Sequence, residues 1–377
     1  MSLTFGLLST YPPTACGLAT FTSALAAGIS APSGRGDDCL VVRAVETAGS
    51  DPSDVAAELV AGSAESRLGA IAALNEADVV IVQHEYGIFG GRDGDELLDV
   101  LEGLNVPVIV VLHTVPLEPT SHQREVLEAV VDASDAVITM THAARRRLAA
   151  GYAADMTKVS VIPHGAHVPP RPDAAEAETR PTILTWGLIG PGKGIEWGIE
   201  ALALLRDLRP RPRYLIVGET HPKVRAAQGE EYRTNLRARA RRLGLSSEVE
   251  FDATYLDVPS LQRIVGQSTL VLLPYDSTDQ ITSGVLIDAV AAGKPVISTR
   301  FPHAVELLGG GVGLLVGHRD PTSIAAAIRR VLTDAPLRAA MTSSAERMAP
   351  GLAWTAVADR YRLVAKRLVT RRAAAVA

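Results

Sequence analysis

Cysteine is almost missing from this chain: Cys16 and Cys39 are the only two in 377 residues. Two thiols make neither a disulfide framework nor a thiolate metal cluster, and such usage fits a reducing cytoplasm. Aromatic residues are scarce at 4%, so the 47% apolar content is carried mainly by Ala, Val and Leu. That is ample for two cores at about 150 residues per domain. There is no excess of positive charge. The net charge is −5, which leaves no basic footprint for nucleic acid. No apolar run reaches the ~18 residues of a membrane span. Leu3 to Leu8 is apolar but short, lacks a basic flank and is followed by Pro12-Pro13, so it does not read as a signal peptide. No internal repeat of solenoid period is present.

What is present is best seen in the stretch Thr269 to Thr299. Leu270-Val271-Leu272-Leu273 is a continuous apolar run closed by Pro274, the pattern of a strand buried on both faces of a parallel sheet. Val285 to Ala292 reads as a helix capped by Thr282 or Ser283, ended by Gly293 and Pro295. Val296 begins the next strand. The backbone N–H groups of Ser283, Gly284 and Val285 would point out of the helix start and, with the helix dipole, make an anion site. Gly284 allows a phosphate to approach the backbone. Asp288 lies one turn deeper on the same face, where a carboxylate suits a ribose diol. Gln280 precedes the helix and could exchange hydrogen bonds with sugar hydroxyls. A capped core helix with one solvated Asp reads the same segment equally well.

In chain order, the strand Leu3–Ser9, a loop ending in Gly17 and the helix Leu18–Ile29 open a doubly wound domain. The single Gly17 is not a dinucleotide fingerprint. Cys39–Val45 reads as the second strand, and helices are expected near Pro52–Ala61 and Glu65–Asn75. The strand Asp78–Val82 delivers a glycine-rich loop carrying His84, Glu85 and Tyr86, candidate acceptor contacts because such loops often hold ligands. His113 follows the strand Val106–Leu112 directly. Ser121 is the expected cap of the next helix. Arg145-Arg146-Arg147 reads as a solvated helix face, with contact to an anionic membrane as the alternative. Ala166 to Arg180 is a Pro- and Ala-rich linker. Beyond it, the strand Thr182–Trp186 leads into Gly187-Leu188-Ile189-Gly190-Pro191-Gly192-Lys193-Gly194. A glycine-rich loop with one Lys suits a phosphate, but it is not a Walker loop. One long charged helix is expected to run to about Leu243. Thr254-Tyr255 follow the strand Val249–Phe251. The chain ends in an amphipathic helix from Trp354, bearing Arg360, Arg362, Lys366, Arg367, Arg371 and Arg372.

Three segments together give the chain a family likeness. Gly187 to Gly194 followed by Ile195-Glu196 is similar to a G-x-x-x-x-x-K-G segment. Gln280 to Gly293 followed by Lys294-Pro295-Val296-Ile297 is similar to an E-x7-E segment with its A-x-G-K-P-V-I tail. Leu112-His113-Thr114, with Gly17, is similar to the acceptor-domain half. In their order and spacing the chain resembles the retaining glycosyltransferases of family 4, which have the GT-B fold. That resemblance implies an α/β protein of two Rossmann-like doubly wound domains facing a central cleft. It places the acceptor-binding domain at residues 1–170, joined by the terminal helix 354–377 crossing back, and the donor-binding domain at residues 171–353.

The resemblance further implies residue roles. Lys193 would hold the donor's diphosphate, with Gly187 in the same loop. The amides near Ser283, Gly284 and Val285 would hold the distal phosphate, and Asp288 the ribose. Gln280 would contact the transferred sugar, and His113 would sit beside that sugar at the reacting centre. Gly17 would let the phosphate approach the first loop, and Thr254 and Tyr255 would flank the base. No metal and no cofactor is implied. The co-substrate is a nucleotide diphosphate sugar, a GDP- or UDP-hexose, and the acceptor is the hydroxyl of a sugar, glycan or lipid-linked glycan. The expected place is the cytoplasm, or the inner membrane face as a peripheral protein. Three positions depart from the family pattern: Leu188 stands where Arg is usual, Gln280 at the first Glu and Asp288 at the second. A weakly active or silent sugar-nucleotide-binding protein is therefore the competing reading.

Overall fold

Apolar strands closed by glycine-containing loops and followed by capped helices recur along the chain, and they fold as repeated β–α units. The computed structural model describes residues 2–31, 36–49, 55–168 and 180–376. The first part contains β1 (Thr4–Ser9), α1 (Gly17–Ser30), β2 (Asp38–Val45), β3 (Ala57–Val60), α2 (Ala64–Leu74), β4 (Val79–His84), α3 (Glu96–Glu102), β5 (Val108–Leu112), α4 (Ser121–Asp132), β6 (Ala136–Thr139), α5 (His142–Gly151) and β7 (Val159–Val161). The second contains β8 (Thr182–Trp186), α6 (Ile195–Ala203), β9 (Arg213–Val217), α7 (Pro222–Gln228), α8 (Glu231–Arg242), β10 (Val249–Asp252), α9 (Val258–Gln267), β11 (Leu270–Leu273), α10 (Gly284–Ala291), β12 (Val296–Thr299), α11 (Pro302–Leu308), β13 (Gly313–Val316), α12 (Pro321–Thr333) and α13 (Ala335–Leu352). The last helix is α14 (Trp354–Val376). Two units result: Met1–Gly165 with Trp354–Ala377, and Ala166–Ala353.

Each unit is built on one sheet. The first has order β3-β2-β1-β4-β5-β6-β7, the second β10-β9-β8-β11-β12-β13, and all pairings are parallel. Both orders reverse between the first strand and the fourth, the doubly wound arrangement expected from the sequence. Parallel strands are covered on both faces, so alternate residues enter different cores. In the second sheet Leu270 and Leu272 pack toward Ile195, Ile199, Ile324 and Ile328. Val271 and Leu273 pack toward Leu286, Ile287 and Val290.

In the first sheet, Phe5, Leu7, Ile81, Ile109 and Val111 face Phe21 and Leu25 of α1 together with Val357, Ala358 and Tyr361 of α14. The terminal helix therefore belongs to the first unit. Not all of its basic residues are on the surface. Arg362 is buried, with Nε 2.8 Å from Asp37 Oδ2 and Nη2 donating to the carbonyls of Gly28 and Ile29. Asp37 Oδ1 in turn accepts from Leu3 N at 3.0 Å. Among the described residues no helix is long and apolar enough to cross a membrane.

Three local expectations change. The helix expected near Pro52–Ala61 is instead β3 over Ala57–Val60, pairing with Val42–Val45; Pro52 to Asp54 lie outside the described residues. Helical propensity in Ala-Ala-Glu-Leu yields there to an open sheet edge that buries Leu59. The long charged helix is two helices, because Gly229 takes φ +59 between α7 and α8. The cap of α4 is Thr120 rather than Ser121, and with Gln123 it forms a reciprocal capping box. Of the linker, residues 169–179 lie outside the described residues.

Candidate functional site

Open α/β sheets bind ligands beyond the carboxyl ends of their strands, where the strand order reverses. In the second unit that place lies between β8 and β11, and the glycine-rich loop leaves β8 there. Gly187 N donates to Val217 O at 3.0 Å, so the loop is tied to the end of β9. Gly218 has φ +130, and a Cβ on it would collide with the Gly187 carbonyl oxygen. The two strand ends therefore meet backbone to backbone. At the far end of the loop, Gly194 has φ +61, and a Cβ there would collide with the Pro274 carbonyl. Asp276 N donates to Gly192 O at 2.9 Å, and Asp276 Oδ1 accepts from Trp197 Nε1 at 2.8 Å. These bonds hold Lys193, whose Nζ lies 4.4 Å from the centre of the Tyr275 ring. Tyr275 is buried and stacks on Phe301, so a cation–π contact on a fixed ring orients the ammonium.

The helix α10 starts beside this loop, with Val285 Cγ2 3.6 Å from where a Gly187 Cβ would stand. Ser283 caps it, Oγ accepting from Leu286 N at 3.3 Å. The expectation of three open amides is corrected to two. Ser283 N donates to His303 Nδ1 at 2.8 Å inside the protein. Gly284 N and Val285 N have no acceptor among the described residues, and both residues are partly exposed. His303, on α11, was not singled out in the sequence. It lies twenty positions from Ser283, and no local spacing announces such a bond.

Asp288 follows one turn into α10. Its carboxyl has no hydrogen-bond or ionic partner among the described residues. By area the residue is only partly covered, yet its surroundings are dense, and dehydration pushes its carboxyl up to about 7. The folded state thus holds this proton more tightly than the unfolded chain does. Ionising Asp288 costs stability progressively from about pH 4, the unfolded value, through pH 7. Asp288→Asn is expected to match the native protein near pH 4 and to exceed its melting temperature by pH 8. A constant difference across that range would remove Asp288 as the titrating group.

The remaining donor-side candidates are more exposed or locally engaged. Gln280 turns its Nε2 onto Thr282 O at 2.9 Å, leaving Oε1 as its outward function. Thr254 N donates to Asp252 Oδ1 at 2.9 Å. The side-chain and backbone bonds of Thr254 hold the Asp252 carboxyl below its usual range. Tyr255 is 47% exposed and offers a free aromatic face. Arg233, which the sequence did not single out, is buried and fastens this edge: Nη2 donates to Gly218 O at 2.6 Å and Nε to Glu230 at 3.1 Å.

In the first unit, Gly17 begins α1 with open space around it. Cys16 Sγ caps that helix, accepting from Ala19 N at 3.4 Å. His84 is a buried residue at the end of β4, its ring edge-on to Tyr86; dehydration pushes it down to about 4. Glu85 accepts from Tyr86 N and Thr114 Oγ1, and Tyr86 Oη donates to Gln123 O. Glu85 and Tyr86 thus spend much of their bonding capacity shaping the loop, while His84 Nδ1 is buried without a partner among the described residues. His113 stands just beyond β5, its ring edge-on to Phe21, with Nε2 2.7 Å from Gln83 Oε1. Among the described residues no three His, Cys, Asp or Glu side chains are grouped as a metal site needs.

The family model described as Glycosyl transferases group 1 matches residues 170–348. D-inositol 3-phosphate glycosyltransferase of Jonesia denitrificans is 30% identical over 306 residues, 72% of this chain and 68% of the relative. The protein of the same description from Kineococcus radiotolerans is 31% identical over 270 residues, 66% of this chain but only 60% of the relative. Among solved structures, HepE of Anabaena in complex with UDP and glucose has a TM-score of 0.73 at 17% identity, covering 97% of this chain and all of that one. Sucrose-phosphate synthase from Thermosynechococcus elongatus also has a TM-score of 0.73, at 16% identity, covering 98% of this chain and 99% of that one. The chain belongs to the group 1 glycosyl transferases and has the GT-B architecture.

Proposed function

We propose that this protein transfers a hexose from a nucleotide diphosphate sugar to a hydroxyl acceptor, with retention at the anomeric carbon. The observation that carries this reading is the convergence of Lys193 Nζ, the Gly187 loop and the two open amides of Gly284 and Val285 at one strand-order reversal. Fixed N–H dipoles and one oriented ammonium suit the charge that develops on a departing diphosphate. This reaction class needs no resident metal if those groups carry the charge. Asp288 would accept from the ribose diol, Tyr255 and Thr254 would flank the base, and Gln280 Oε1 would accept from a hydroxyl of the transferred sugar. In the first unit, His113 would contact that sugar and Gly17 would leave room for a phosphate.

The likeness to HepE, solved with UDP and with UDP-glucose, supports a nucleotide-sugar donor, which we take to be a UDP- or GDP-hexose. The name of the D-inositol 3-phosphate glycosyltransferases supports a small polyhydroxylated acceptor; a sugar, glycan or lipid-linked hydroxyl in glycoconjugate or envelope synthesis is the wider class we propose. The exposed Arg146, Arg367, Arg371 and Arg372 supply charge for peripheral contact with an anionic membrane from the cytoplasmic side.

A thermal-shift panel of UDP, GDP and ADP identifies the base, because a ligand bound by the folded state raises the melting temperature by mass action. Incubation of the stabilising nucleotide's sugars with an acceptor library, followed by NMR of the product, then tests the reaction. The expected result is an acceptor-dependent product keeping the donor's anomeric configuration. Tight binding with no product from any acceptor would favour the silent reading instead.

A further inference from the structure

We propose that Gln83 is a positioning residue for His113, holding its imidazole as the Nε2–H tautomer and leaving Nδ1 as the ring's hydrogen-bond acceptor. This rests on the reading that His113 contacts the transferred sugar. Gln83 closes the apolar row Val79, Ile81 on β4, the strand that adjoins β1 at the order reversal of the first sheet. It is 0% exposed. Burying an amide is costly unless it is bonded, and Leu would fill the same volume without that cost, so packing alone does not account for Gln. The side chain's one hydrogen bond among the described residues is Oε1 to His113 Nε2 at 2.7 Å, while its own Nε2 is buried without a partner.

Parallel register places His113 where that bond can form. Gln83 pairs with Val111, and His113, two residues on, projects from the same face of the sheet. Its backbone N donates to His84 O at 3.1 Å. Phe21 fixes the ring plane, with centroids 4.9 Å apart at 83°. Burial first, then the neighbouring His164 and His84, pushes the ring down to about 3, so it is neutral near pH 7. A neutral imidazole has one N–H, and a carbonyl oxygen against Nε2 requires the proton there. Nδ1 has no partner among the described residues and keeps its lone pair. A sugar hydroxyl is then met by an acceptor, without positive charge.

The test is ring-nitrogen NMR on the ¹⁵N-histidine-labelled full chain, with His113→Gln to assign the signal. The expected result is a protonated Nε2 and a bare Nδ1 in the native protein; the opposite tautomer, or an even mixture, overturns the inference. Gln83→Leu is expected to mix the tautomers and lower kcat about ten- to hundredfold, the scale for losing a partner that orients a metal-ligating histidine, with donor KM nearly unchanged. Gln83→Glu keeps an acceptor at Nε2–H but adds a negative charge. It should preserve the tautomer, raise the ring's pKa and give kcat a new acidic limb. An unchanged tautomer in Gln83→Leu overturns the inference whatever the kinetics. A changed tautomer with unchanged kcat upholds Gln83's hold on the ring and removes His113 from the sugar.

Discussion

Lys193→Ala is expected to lower donor turnover by about 10²–10³-fold, the scale for loss of one fixed transition-state donor. The glycine-rich loop has no second side-chain cation, since Leu188 follows its first glycine and Lys193 is its one basic residue. Nearby His221 does not supply one. Dehydration, then the charges of Lys223 and Lys193, hold its imidazole below the usual range. Lys193 is also oriented, by Tyr275 beneath it and by the turn from Gly190. An ammonium with little freedom to lose contributes more when charge appears. Steady-state kinetics with saturating acceptor decide the point. The loss should lie mainly in kcat, since the charge it meets grows as the bond to the sugar breaks. A variant within about threefold of native turnover would mean that the diphosphate departs elsewhere.

Arg362→Leu is expected to destabilise the first unit by about 3–5 kcal/mol, because removing one partner of a buried pair leaves the other charge uncompensated. Asp37 would keep only Leu3 N among its described partners, and the carbonyls of Gly28 and Ile29 would lose their donor. That is a large share of the ~5–15 kcal/mol that holds a typical domain. Two domains need not unfold together, so hydrogen exchange in α1 and α14 reads the effect more cleanly than one melting curve. The expected result is faster exchange in both helices, partly restored by adding Asp37→Asn. Unchanged exchange would show the pair to be dispensable.

These two residues mark what the sequence makes legible. Lys193 sits in a motif of adjacent residues, between a strand and a helix whose patterns are local, and it is readable. So is the buried run Leu270–Leu273, while the cap of α10 is narrowed by spacing to Thr282 or Ser283, of which the structure uses Ser283. Arg362 reads as surface charge on an amphipathic helix. Its partner Asp37 is 325 positions away, beyond any periodicity. The same holds for His303 on the Ser283 amide and for Gln83 on His113, both bonds made across adjoining β–α units. Strand β3 is hidden for a related reason: the edge it covers is supplied by β2, and its own Ala-Glu-Leu-Val favours either state. Local pattern gives the frame and the glycine-rich loop, while tertiary pairing decides which polar groups remain open.

On the proposed function, a diphosphate rests on the Lys193 loop and on the open amides at the start of α10. Hydrogen–deuterium exchange with saturating nucleoside diphosphate tests it most directly. Slowed exchange is expected to concentrate in residues 187–194 and 283–288, with Gly284 and Val285 among the most protected. Tight binding that leaves those two segments exchanging as in the free protein would contradict it.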